Sequence, residues 1–146
     1  MAVRRVCTRI SRIILETVRL VATSSLAILL ISGDFERAHY AFMLACAGAA
    51  LGHESCIFAT NQGVRALCAD WHGLPGAEAD VAYITKGVAG FEELRESAIA
   101  LDTRLMACEA GLRIAGVAAR ALLPQVQIAG IASFLEAATG AEVITL

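Results

Sequence analysis

"LAILLISGD" (residues 26–34) decides how the rest of the chain is read. Residues 26–31 are all apolar and stop at Ser-Gly-Asp. A strand with one wet face alternates apolar and polar residues, so an unbroken run of this length fits a strand covered on both faces. Asp34 then stands where a helix N-cap belongs. The Ala-rich apolar stretch after it reaches Leu51, and Gly52 is a natural stop. "SCIFA" (55–59) is a second apolar run, stopped by "TNQG" (60–63). Strand, helix and strand together make a βαβ unit, whose crossover is right-handed in nearly all proteins.

The same alternation continues to the end of the chain. "VRALCADW" (64–71) predicts a short helix, and "HGLPGAEAD" (72–80), with Pro75, a loop. "GFEELRESAIAL" (90–101) is amphipathic, with acids in its first turn as a helix start prefers. "TRLMA" (103–107) is the third strand candidate, and "EAGLRIAGV" (109–117) leads away from it as a helix. A short strand around Val126–Ile128, a helix in "ASFLEAAT" (132–139) and a strand in "EVITL" (142–146) complete the pattern. The expected fold is α/β: a small three-layer, doubly wound, flavodoxin-like domain with about five mostly parallel strands. It occupies residues 24–146, after an extension over residues 1–23.

The composition agrees with buried strands. Hydrophobic residues make up 58% and charged residues 18% of 146, with a mean hydropathy of +0.66. That excludes disorder, because ample apolar surface is there to offset ordering entropy. No membrane span is expected. The best candidate, residues 13–32, contains Glu16 and Arg19, and the next, 38–52, is too short. A net charge of −2 gives no reason to expect nucleic acid as a partner. Five of the twelve basic residues (Arg4, Arg5, Arg9, Arg12 and Arg19) crowd the extension. We read it as partly helical and docked on a neighbour, with membrane-surface contact as the alternative. No cleavage-site pattern follows it, so secretion is not expected. Five cysteines, an odd number without a CxxC pair, fit a reducing cytoplasm.

In an open parallel sheet, reactive groups gather beyond the carboxyl ends of the strands. "SGD", "TNQG" and "CEAG" (108–111) fall there. Cys108 would stand at a strand-to-helix junction, where backbone N–H groups and the helix dipole favour a thiolate. Glu109 opposes this and Arg113, one turn on, helps. A free cysteine is more often a small buried hydrophobe. Cys46 and Cys56 fit that description, and Cys7 lies in the extension. Cys68 precedes His72 by four residues, a spacing that can put both on one helix face. Packing is the simpler reading of that pair, and a second, resolving thiol the sharper one. Two ligands make no zinc site. His39 and Tyr40 flank the "SGD" end of their helix, where a histidine is more often structural than a base. No P-loop, dinucleotide fingerprint, G-x-S-x-G elbow or H-E-x-x-H is present, so no metal or organic cofactor is expected.

Three stretches carry a family resemblance. Residues 26–60 resemble the opening strand–helix–strand of the DsrE/DsrF/TusD-like sulfur carriers, residues 87–117 their second half, where a helix leads to a strand ending in a cysteine, and residues 126–146 their closing strand–helix–strand. The most specific element is the order helix, strand, "AC", helix. The resemblance implies a persulfide carrier, or sulfurtransferase, with Cys108 matching the strand-end cysteine of the family. It also implies a homo-oligomer (dimer, trimer or hexamer) and partners from a sulfur relay, rhodanese-like or TusA-like. Ser32, Gly33, Asp34, Asn61, Gln62 and Gly63 are expected to share the rim with Cys108. The acid directly after the cysteine and the divergent loop 61–81 depart from the family pattern. Two other readings stand beside the carrier. One is a non-catalytic subunit of a DsrE-type assembly, which a buried Cys108 would favour. The other is a flavodoxin-like small-ligand module, resting on fold analogy alone.

Overall fold

The opening unit folds as its pattern predicts. A computed structural model describes residues 25–146 and gives β1 (Ser25–Leu30), α1 (Phe35–Ala50) and β2 (Glu54–Ala59). The extension over residues 1–23, with its arginines and Cys7, lies outside the described residues. Asp34 caps α1: its Oδ1 accepts from the backbone N–H of Glu36 at 3.0 Å and of Arg37 at 3.4 Å. Gly52, at φ +85°, lets the chain leave α1 in a left-handed turn and enter β2.

The helix expected over 64–71 is instead a run of 3-10 turns, Asn61–Leu67. The reason is tertiary. Gly63 N–H donates to the Ile31 carbonyl at 3.0 Å, and Cys68 forms an antiparallel bridge to Leu122. Those bonds hold the segment against the sheet and take it out of α geometry. The loop expected through Asp80 also ends early. Residues 77–79 form a 3-10 turn, and Asp80 begins a short helix, α2 (Asp80–Thr85). Asp80 Oδ1 accepts from Phe91 N–H at 2.8 Å, which fixes the start of α3 (Phe91–Ala100).

The remaining elements are β3 (Arg104–Cys108), α4 (Glu109–Ala115), β4 (Gln127–Ala129), α5 (Ile131–Ala137) and β5 (Glu142–Thr145). The five strands lie in the order β4-β3-β2-β1-β5, and every ladder is parallel. From β1 to β4 the chain steps one way across the sheet, so right-handed crossovers place α1, α3 and α4 on one face. The last connection runs back past β3, β2 and β1, which puts α5 on the other face.

Three layers result, and they are unequal. On the broad side Ile28, Leu30, Ile57 and Leu105 pack under Phe35 and Phe42 of α1, Phe91 of α3 and Leu112 of α4. On the narrow side Ala27, Cys56, Phe58, Met106, Cys108 and Ala129 pack under Phe134 of α5. Period-two alternation assigns successive strand residues to opposite sides. This is why Ala27 and Ile28 are both fully buried, and why "LAILLI" shows no polar position. No helix among the described residues is long and apolar enough to cross a membrane.

Candidate functional site

Cys108 ends β3 and serves as the N-cap residue of α4, with φ −67° and ψ 124°. This is the expected strand-to-helix junction at the carboxyl edge. Its side chain, however, shares strand parity with Met106 and therefore faces α5. It is 8% exposed and paired in the ladder with Ala129 of the edge strand. Glu109 and Arg113, the two charges expected to act on the thiol, pair with each other across one turn of α4 and are both exposed.

Three glycines draw the rim together. A Cβ at Gly63 would lie 2.3 Å from the Leu30 carbonyl oxygen, and one at Gly33 would lie 2.7 Å from Gln62 Cβ. A Cβ at Gly111, in the first turn of α4, would lie 2.7 Å from the backbone nitrogen of Asn61. Only glycine permits these approaches. The backbones of "SGD", "TNQG" and "CEAG" thus meet at one edge. Their side chains do not converge on the thiol. Ser32 Oγ accepts from Asp34 N–H at 3.1 Å, and Asp34 itself caps α1. Gln62 Oε1 accepts from Arg65 Nε at 2.9 Å, while Arg65 Nη2 donates to the Ala115 carbonyl at 2.9 Å. Gly33, Asp34, Gln62 and Arg65 line a cleft of about 290 Å³ that Cys108 does not line.

Cys68 lies in the broad-side core, on the opposite side of the sheet from Cys108. The two thiols cannot meet within one folded chain. Burial pushes the Cys68 thiol pKa up, although Arg65 and Arg95 pull it the other way. Nor do Cys68 and His72 share a helix face, because the 3-10 turns end at Leu67. His72 is exposed, stacks on Trp71, and places Nδ1 3.0 Å from Asp70 Oδ1. Hydrogen bonds from the His72 backbone and then its ring hold the Asp70 carboxyl below the usual range. His39 is buried and structural, with Nε2 2.9 Å from the Ala89 carbonyl and its ring against Phe35, Tyr83 and Phe91. Among the described residues no three His, Cys, Asp or Glu side chains are grouped to hold a metal ion.

Sequence reasoning missed the aromatic residues that share a buried cluster with the thiol. Phe134 of α5 stacks on Phe58 of β2, ring centroids 4.8 Å apart and planes 23° from parallel. Both belong to the buried cluster that contains Cys108. Strand parity alone was available as a signal, linking Cys56 with Phe58 and Met106 with Cys108. The cross-strand register and the side taken by α5 were not written in it.

Comparison with known proteins follows the same lines. The family model described as "DsrE/DsrF/DrsH-like family" matches residues 80–146, from α2 to the end and including Cys108. A search of curated proteins finds no match. Among solved structures, the ychN protein from E. coli superimposes with a TM-score of 0.60 at 13% identity, over 84% of this chain and 99% of that one. The protein of unknown function MTH1491 from Methanobacterium thermoautotrophicum gives a TM-score of 0.49 at 18% identity, over 84% and 100%. Residues 80–146, with Cys108 among them, are thus similar to the DsrE/DsrF/DrsH-like family, and the parallel sheet is the expected one.

Proposed function

We propose that the protein carries sulfane sulfur on Cys108 within a sulfur relay, as a sulfurtransferase-type carrier. The observation behind this reading is the position of Cys108 at the end of β3 and the head of α4, inside the segment that matches the family. The Cys108 thiolate attacks the outer sulfur of a donor persulfide. One S–S bond forms, one breaks, the donor leaves as a thiolate, and the proton stays on the transferred sulfur. Backbone N–H groups in the first turn of α4 support the terminal sulfur when it ionises. An acceptor thiolate then repeats the exchange and frees Cys108. Donor and acceptor are thiol proteins of the rhodanese-like or TusA-like kind, met in the cytoplasm, and the carrier works as a homo-oligomer. No metal or organic cofactor takes part.

The test is intact-protein mass spectrometry after brief exposure to polysulfide, comparing the parent chain with Cys108→Ala. Gains of ~32 Da, absent in the variant and reversed by a reductant, support the carrier. An unmodified parent, or equal loading of both proteins, removes Cys108 from that role. One observation favours a second reading, a non-catalytic subunit that contributes interfaces: Cys108 is only 8% exposed. Exposed Tyr40, Met43 and Val88, around an apolar groove of about 470 Å³ beside α1, would serve such a subunit.

A further inference from the structure

A thiol that exchanges sulfur between proteins must be reached in line by another sulfur, yet Cys108 lies within the narrow-side core. We propose that α5 is a movable cover over Cys108, latched by the stack of Phe134 on Phe58, so that Phe134 sets how often the thiol meets a reactant. The proposal rests on the reading of Cys108 as the working thiol.

Among the described residues α5 is the only helix contributing to that side of the sheet. Its hold is slight. Of its seven residues only Phe134 is buried, with Ala137 and the following Ala138 half-buried beside it. Ile131 and Leu135 point outward, 54% and 61% exposed. By contrast α1 buries seven residues, and α3 buries Phe91, Leu94, Arg95 and Ala98. A helix held by one aromatic ring and a few alanines sits at the low-stability end of a fold, where local opening occurs without global unfolding.

Both ends of α5 are built to turn. Gly130 precedes it, with no side-chain cap on the helix, and Gly140, at φ +75°, follows it. Glycines absorb backbone rotation without steric cost. The broad-side core shares no residue with the narrow-side cluster, so lifting α5 leaves the packing under α1, α3 and α4 in place. Phe134 is a positioning residue here: it touches the ring of Phe58 and governs access, and it takes no part in the exchange itself.

The experiment is site-resolved alkylation of the native full chain with iodoacetamide, read by peptide mass spectrometry. Cys68, in the core on the other side of the sheet, reports global unfolding in the same tube. Phe134→Ala is expected to speed alkylation of Cys108 at least tenfold with the Cys68 rate unchanged. Phe134→Leu is expected to give a smaller rise with the same selectivity, and Leu135→Ala to change neither rate. An unchanged Cys108 rate in Phe134→Ala would overturn the cover. So would an equal rise at Cys108 and Cys68 in both Phe134 variants, or a rise in Leu135→Ala matching that in Phe134→Ala. Polysulfide loading separates the two ideas. A thiol uncovered by Phe134→Ala that still takes up no sulfur ends the carrier reading and leaves the cover standing. A parent that loads as fast as Phe134→Ala ends the cover and leaves the carrier.

Discussion

The guanidinium of Arg95, 1% exposed, donates through Nη2 to the backbone carbonyl of Cys68 at 2.8 Å. This bond ties α3 to the segment that follows the 3-10 turns. Glu92 Oε2 stands 3.5 Å from Arg95 Nη1 and also accepts from Trp71 Nε1 at 2.8 Å, so one carboxylate serves two partners. The ring of Phe91 lies 5.7 Å from the guanidinium carbon. Burial lowers the Arg95 pKa, and the Glu92 charge works against that shift.

Removing this cation should therefore hurt stability. Arg95→Ala breaks the bond to Cys68 and opens a cavity under Phe91; the expected loss is about 2 kcal/mol, the scale for truncating a large buried side chain. The urea unfolding midpoint measures it. A loss under about 0.5 kcal/mol, the level of an ordinary surface change, would show that Arg95 does not tie α3 in place.

The rim glycines give a paired test. At Gly63 a methyl would strike the Leu30 carbonyl oxygen, at the point where the 3-10 turns meet β1. Gly63→Ala is expected to cost roughly 2–3 kcal/mol through overpacking. Gly73→Ala meets nothing within 4 Å and is expected to stay within about 0.5 kcal/mol of the parent. Equal unfolding midpoints for the two variants would contradict the tight approach at the rim.

Alkaline pH should weaken the fold through its buried thiols. Burial is the leading cause that raises the pKa of Cys46, Cys56 and Cys68. The unfolded chain then loses these protons first as pH rises, so it binds fewer protons than the folded one and stability falls. The contribution is fully present below the ordinary thiol pKa of about 8.5 and declines above it. Urea midpoints at neutral pH and near pH 10 measure the decline. It should shrink when Cys56 and Cys68 are replaced by alanine, and an undiminished decline in that variant would assign it elsewhere.

Much of this was legible in the chain itself. "LAILLI" had to be a strand covered twice, because no residue in it can face water cheaply. Asp34, Gly52 and the acids after Gly90 marked helix ends by local hydrogen bonding and backbone freedom, and the structure places helix boundaries beside each. Cys108 fell at a strand-to-helix junction for the same local reasons.

What failed, or was never visible, depended on long-range partners. The 3-10 turns at Asn61–Leu67 exist because Gly63 bonds to Ile31 and Cys68 pairs with Leu122, fifty-four positions away along the chain. The sequence by itself determined the elements, their order and the class of sheet, since propensity, capping and hydrophobic period act over a few residues. Only the tertiary structure decided which side of the sheet each thiol faces. That choice follows from strand register and from the single reversal of strand order before β5, which sends α5 across the narrow side and lays Phe134 over the core that holds Cys108.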